Sequence, residues 1–166
     1  MASRCLPSNL RKHAGPAVVT SRRPSRKQAR RDAVFVLYQR EVTDLSLEAL
    51  LANRAASEGY DPDEFTVRSI EGVVADQSWL DAELAANSPA WPLSRIAPLE
   101  RSILRLALWE LRGGETPPEV AIDEAVRLAK RYSTDEAAAL VNGILAGALR
   151  AGRPLADDDG DDEETP

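Results

Sequence analysis

A single cysteine (Cys5) and a single histidine (His13) leave this 166-residue chain with little of the usual machinery of catalysis. One thiol excludes an internal disulfide framework and a multi-cysteine zinc site. One imidazole, in the same amino-terminal segment, leaves no partner for a serine or cysteine nucleophile further along. No apolar run approaches the roughly 18 residues needed to span a bilayer, so a soluble protein is expected. The nine glycines are scattered, and no Gly-x-x-x-x-Gly-Lys phosphate loop occurs. Aromatic residues make up only 5% of the chain, and β-branched runs are short. Alanine, leucine, arginine and glutamate are abundant instead, which predicts an all-α fold with a core of Ala, Leu and Val. The carboxylate pairs Asp123/Glu124 and Asp135/Glu136 fall near the starts of expected helices, where the helix dipole accounts for them without acid–base chemistry. These absences point to a binding protein, with no enzymatic activity, cofactor or metal.

Charge is segregated. Residues 1–40 hold ten Lys/Arg against one acid, residues 41–156 carry a net charge of -8, and residues 157–166 hold seven acids and no base. The total of -6 conceals a front that attracts polyanions and a tail that repels them. Residues 1–24 are expected to form a disordered basic arm, residues 25–150 the domain, and residues 151–166 a disordered acidic tail. The arm also has the Arg/Ser-rich, acid-free character of a transit peptide.

The stretch Ser25 to Glu41, SRKQARRDAVFVLYQRE, is basic in its first half and apolar in its second. Ser25 and Gln28 have capping-box spacing behind Pro24. Helical geometry puts Lys27, Arg31, Val34 and Tyr38 in one stripe. Two readings fit: a solvated basic turn ahead of a core helix, or a cationic face ending in a ring, suited to single-stranded nucleic acid. Further along, Ser46 caps a short helix that stops near Gly59. Asp61 is expected to cap the next helix, with Pro62 at its first position. That helix should run through Ile70, Val73, Val74, Leu80 and Leu84 on one face, with Gln77 interrupting it and Gly72 allowing a close helix–helix approach. Trp91 and Leu93 read as core anchors in a turn. Pro98 opens a helix apolar on more than half its circumference, hence central, and Gly113-Gly114 end it. Thr116 to Glu119 reads as a capping box leading into a helix with Val120, Ile122, Ala125, Val126 and Ala129 inward. Ser133 or Thr134 caps the last helix, in which Asn142-Gly143 is flanked by helical rather than strand spacing.

Three blocks carry a family resemblance: RKQARRDAVFVLYQRE (26–41), PLERSILRLALWEL (98–111) and PPEVAIDEAVRLAKRYSTDEAAALVNGIL (117–145). In order and spacing they resemble the NusB family of bacterial transcription antitermination factors. The resemblance implies two packed three-helix units and a cytoplasmic, non-enzymatic protein. It implies binding to boxA-type leader RNA together with NusE, a small-subunit ribosomal protein. It also implies association, through other Nus factors, with the RNA polymerase elongation complex, notably on ribosomal RNA operons. RNA contacts are then expected from Arg26, Lys27, Arg30, Arg31 and Tyr38, and from Leu140 and Asn142 around the Val-Asn-Gly segment.

The chain departs from the family's pattern at three places. Ala139-Leu140 stands where relatives commonly carry lysine and phenylalanine, Asp123 where they carry asparagine, and Gln28 at an arginine position. Each change removes a cation, a stacking ring or a neutral amide, which implies weaker intrinsic RNA affinity and more reliance on the basic arm and NusE. A helical adaptor or homodimer with little RNA binding of its own is the competing reading. A regulatory domain like that fused to some RNA cytosine methyltransferases is a third, opposed by the lack of a cofactor-binding half. If the acidic tail competes with RNA for the basic helix, deleting residues 157–166 should tighten RNA binding at low salt. No gain in a filter-binding titration would exclude that competition.

Overall fold

The computed structural model describes residues 24–151, and residues 1–23 of the amino-terminal arm and 152–166 of the acidic tail lie outside them. The described residues form seven α-helices and one 3-10 turn: α1 (Arg26–Thr43), α2 (Leu47–Glu58), α3 (Glu64–Ala75), α4 (Gln77–Ala86), the turn Leu93–Arg95, α5 (Pro98–Gly113), α6 (Pro118–Tyr132) and α7 (Asp135–Arg150). The all-α expectation holds. Among the described residues no helix is long and apolar enough to cross a membrane.

Side-chain caps start several of these helices. The Ser25 hydroxyl accepts from the Gln28 N–H at 3.3 Å, Ser46 from Ala49 at 3.1 Å, and Thr134 from Ala137 at 3.1 Å. Gly59 ends α2 in the left-handed region, at φ 62°, a conformation that favours glycine. Two expected caps move. Asp63, not Asp61, caps α3 by accepting from the Phe65 N–H at 2.9 Å, so Pro62 lies before the helix. Thr116 does not cap α6; its hydroxyl donates to Glu110 at 2.9 Å, and Pro117 takes the cap position without a side-chain bond.

The core is centred on α5, which packs against α1, α3, α4, α6 and α7. Ile103, Leu104, Leu106, Ala107, Leu108 and Leu111 are buried, as a helix apolar on most of its circumference requires. The carboxy-terminal half is a three-helix unit of α5, α6 and α7, closed by Ala121, Ala125 and Ala129 against Ala138, Val141 and Leu145. The amino-terminal half departs from three helices, because the expected long helix breaks at Asp76. That residue leaves helical geometry (φ -95°, ψ 10°), and Arg112 of α5 holds its carboxylate at 3.1 Å. The break re-aims the chain so that Leu80 and Leu84 of α4 are fully buried. Two inward assignments also fail. Trp91 is 48% exposed and Val120 41% exposed, while Leu93 packs on the core as expected.

Gly72 permits the close approach its place in a helix implied. An ideal Cβ there would lie 2.2 Å from Trp109 Nε1, and the Trp109 indole is itself wedged edge-on against Phe65, centroids 6.5 Å apart. Overpacking of this kind costs about 1–3 kcal/mol, while alanine returns about 1 kcal/mol of helix propensity. With a clash this deep, Gly72→Ala should lose stability overall, by about 1–2 kcal/mol in urea denaturation. A variant as stable as the parent would mean that Trp109 moves aside freely.

Candidate nucleic-acid interface

The first two turns of α1 send their four cations in three directions. Successive helical residues are about 100° apart, so Lys27 and Arg31 share one stripe while Arg26 and Arg30 share the next. The Lys27/Arg31 stripe faces α6 across an open cleft of about 500 Å³. From α1 the cleft is lined by Ser25, Lys27, Gln28 and Arg31. From α6 it is lined by Glu124, Arg127, Leu128, Arg131 and Tyr132, which are spaced to fall on one helical face. Lys27 is well exposed, its side chain at 65%, and Arg31 partly so, next to Asp32 at 3.2 Å. Arg127 pairs with Asp123 at 3.1 Å. Four cations against the lining carboxylate Glu124 and the flanking Asp32 and Asp123 leave the cleft a modest excess of positive charge, which salt screens.

An aromatic ring closes one end. Tyr132 meets Phe35 of α1 edge-to-face, centroids 5.0 Å apart at 84°, so both helices hold the ring in place. The Arg131 guanidinium lies 5.5 Å from the same ring.

Arg26 and Arg30 turn the other way. Arg26 is exposed and stacks its guanidinium 4.4 Å from the Phe65 ring of α3, beside a second, smaller cleft that also contains Asp63, Glu64 and Arg68. Arg30 is buried. Its Nε lies 2.8 and 3.0 Å from the two carboxylate oxygens of Glu110 and its Nη2 2.8 Å from one of them, a bidentate pair between α1 and α5. The expectation that Arg30 presents a cation to RNA is therefore corrected. At 6% exposure its charge is taken up inside the domain.

The remaining expected contacts lie outside the α1/α6 cleft. Tyr38 is half-buried on α1, seven residues and about 10 Å of helix beyond Arg31. Val34, placed in the same stripe, is buried in the core. Leu140 borders a separate, mainly apolar cleft with Trp91, Ile96 and Glu100, and Asn142 is exposed on α7. Sequence reasoning missed Arg127, Arg131 and Tyr132, although Arg127 and Arg131 stand four residues apart in VRLAKRY, one turn of a helix whose inner face was already assigned. Among the described residues, no group of three or more His, Cys, Asp or Glu is arranged to hold a metal ion.

Burial predicts opposite phenotypes for neighbouring cations. Arg30→Ala leaves the Glu110 carboxylate buried without its charge partner and should cost about 3–5 kcal/mol of stability. Lys27→Ala and Arg31→Ala should stay within about 0.5 kcal/mol of the parent. Urea denaturation of the three variants checks this, and an Arg30 variant as stable as the other two would refute the assignment of Arg30 to the core.

Comparison with known proteins fits this architecture. The model of the NusB family matches residues 27–150. A protein of Rubrobacter xylanophilus named transcription antitermination protein NusB is 43% identical over 125 residues, covering 75% of this chain and 89% of that protein. The solved structure of T. maritima NusB matches with a TM-score of 0.68 at 33% identity, over 78% of this chain and 93% of that one. A structure of the antitermination factors NusB and NusE in complex with dsRNA shares the fold, with a TM-score of 0.67 at 24% identity over 76% of this chain and 96% of that one. The family match takes in all seven helices but for the first residue of α1, and on it the chain belongs to the NusB family.

Proposed function

We propose that this protein is a transcription antitermination factor that binds boxA-type leader RNA together with NusE and supports elongation by RNA polymerase, notably on ribosomal RNA operons. The observation that carries the reading is the cleft between α1 and α6, where Lys27, Arg31, Arg127 and Arg131 converge beside the fixed ring of Tyr132. Phosphates take the cations, and an unstacked base takes the ring face. The cleft is open at the surface, which suits a polymer passing through better than an enclosed small molecule. Antitermination is also what names the NusB relatives, and NusE and RNA accompany NusB in a structure of this fold.

Leu140 and Asn142 form a second contact along the RNA path in this reading. Ala139-Leu140 brings neither a cation nor a ring there, so the first cleft carries most of the RNA affinity and NusE adds to it. The protein works as an adaptor without catalysis, in the cytoplasm where transcription occurs.

Single-strand affinity falls by roughly 0.7 log unit per log unit of salt for each phosphate contact. Replacing Lys27, Arg31, Arg127 and Arg131 together by alanine should remove roughly 3 units of that slope and abolish binding at moderate salt. Filter binding of a leader RNA with and without NusE measures this, with circular dichroism confirming the fold. Unchanged affinity and slope in the quadruple variant would overturn the assignment.

A further inference from the structure

A surface built only to hold phosphates would not contain Glu124. It is the one carboxylate among four cations lining the α1/α6 cleft, and its side chain is 12% exposed. Lys27 Nζ and Arg127 Nη1 each lie 3.6 Å from its Oε1, close enough for ion pairing and too far for hydrogen bonds. Among the described residues no donor hydrogen-bonds to either oxygen, and neither oxygen is sealed from solvent. Glu110, a buried acid of α5 that faces the start of α1, is by contrast engaged by Arg30 and Thr116. Glu124 is thus a largely buried carboxylate whose two oxygens accept no hydrogen bond from the described residues, Oε1 lying in ion-pairing range of Lys27 and Arg127.

We infer that Glu124 is a specificity-determining residue that accepts the Watson–Crick edge of a guanine. The inference rests on the RNA reading of the cleft. An ionised carboxylate is acceptor-only, with two oxygens side by side. Guanine alone among the four RNA bases sets two donors next to each other on that edge, its N1–H and its N2 amino group. Adenine and cytosine pair an amino group with a ring-nitrogen acceptor, and uracil flanks one imino proton with two carbonyls. In each of these the second carboxylate oxygen would meet an acceptor. Single-stranded RNA exposes the edge that a duplex hides. Leu128, one turn along α6, supplies apolar surface beside the base. Tyr132, about 12 Å along the helix from Glu124, takes a neighbouring one. The carboxylate also repels phosphate, which keeps the backbone on Lys27, Arg31 and Arg127 and turns bases inward.

The test titrates the full-length protein with a uridine dodecamer and with the same dodecamer carrying one guanosine, adenosine or cytidine. Wild type should prefer the guanosine oligomer by roughly tenfold or more, the range of a bidentate side-chain–base pair. Glu124→Gln, which keeps the shape and replaces one acceptor by a donor, should reduce the preference to about twofold or less. Its affinity for the all-uridine oligomer should rise, because Lys27 and Arg127 lose a competing carboxylate. Glu124→Asp keeps the charge but withdraws the oxygens, and should lose the preference as well. A guanosine preference that survives in Glu124→Gln overturns the inference. So does an equal loss of affinity for all four oligomers, which would make Glu124 a positioning residue for Lys27 and Arg127. Wild-type protein that retains no RNA even at low salt removes the RNA reading itself, a result distinct from either.

Discussion

The Glu110 carboxylate holds together the two walls of the cleft. It receives the Arg30 guanidinium from the second turn of α1 and the Thr116 hydroxyl from the segment that leads into α6. Both attachments are made from one buried position on α5, and Arg30 Nη2 also reaches Thr116 at 3.5 Å. Burying a carboxylate is costly unless its acceptor sites are filled. The requirement fixes where α1 starts relative to where α6 starts. With Arg30 turned inward, Lys27 and Arg31 lie one helical step round and face α6.

The same constraint recurs along the rest of α5. A helix enclosed on most sides that still carries charge must find each charge a partner, and the partners lie on different neighbours. Arg101 binds Glu41 of α1 and the Leu93 and Ile96 carbonyls. Arg105 spans Asp81 of α4 and the same Glu41. Glu100 accepts from Ser133, between α6 and α7, through Oε1 alone, and its buried Oε2 has no hydrogen-bond partner among the described residues. Pairs of this kind add little net stability compared with apolar residues of equal size. What they add is register, because a slide of one residue along α5 would strand several charges at once. The apolar contacts supply the driving force, and the ion pairs select one arrangement among similar ones.

Periodicity and capping signals were enough to place α1, α2, α5, α6 and α7, because each has an apolar stripe bounded by a start or stop residue. They were not enough to separate α3 from α4. Both sides of Asp76 continue the apolar pattern, and the break is held by Arg112 from a helix 36 residues later. Trp91 and Val120 were misplaced for a related reason, since an apolar side chain beside a turn or in a first helical turn has no second turn to fix its direction. Among the site residues, composition cannot tell Arg30 from Arg31. The difference lies in a carboxylate 80 residues away in sequence. Tyr38 stood out as an aromatic after a basic run, whereas Tyr132 becomes visible only once α6 lies beside Phe35.

Helix phase then accounts for which cation stands where in the basic run. Burial at position 30 favours arginine, because a planar fork reaches both oxygens of Glu110 at once, a geometry a lysine ammonium does not match. Position 27 faces open solvent and the Glu124 carboxylate, where a compact ammonium serves as well as a guanidinium. Position 26 stacks on the Phe65 ring, an arrangement a flat guanidinium favours. The arginine-rich opening of this chain is thus not a single electrostatic patch. One residue is a core tie, one covers an aromatic ring, and two line the cleft. The cleft then completes its charge by drawing on Arg127 and Arg131 from the opposite wall, so its positive charge depends on α6 as much as on the start of α1.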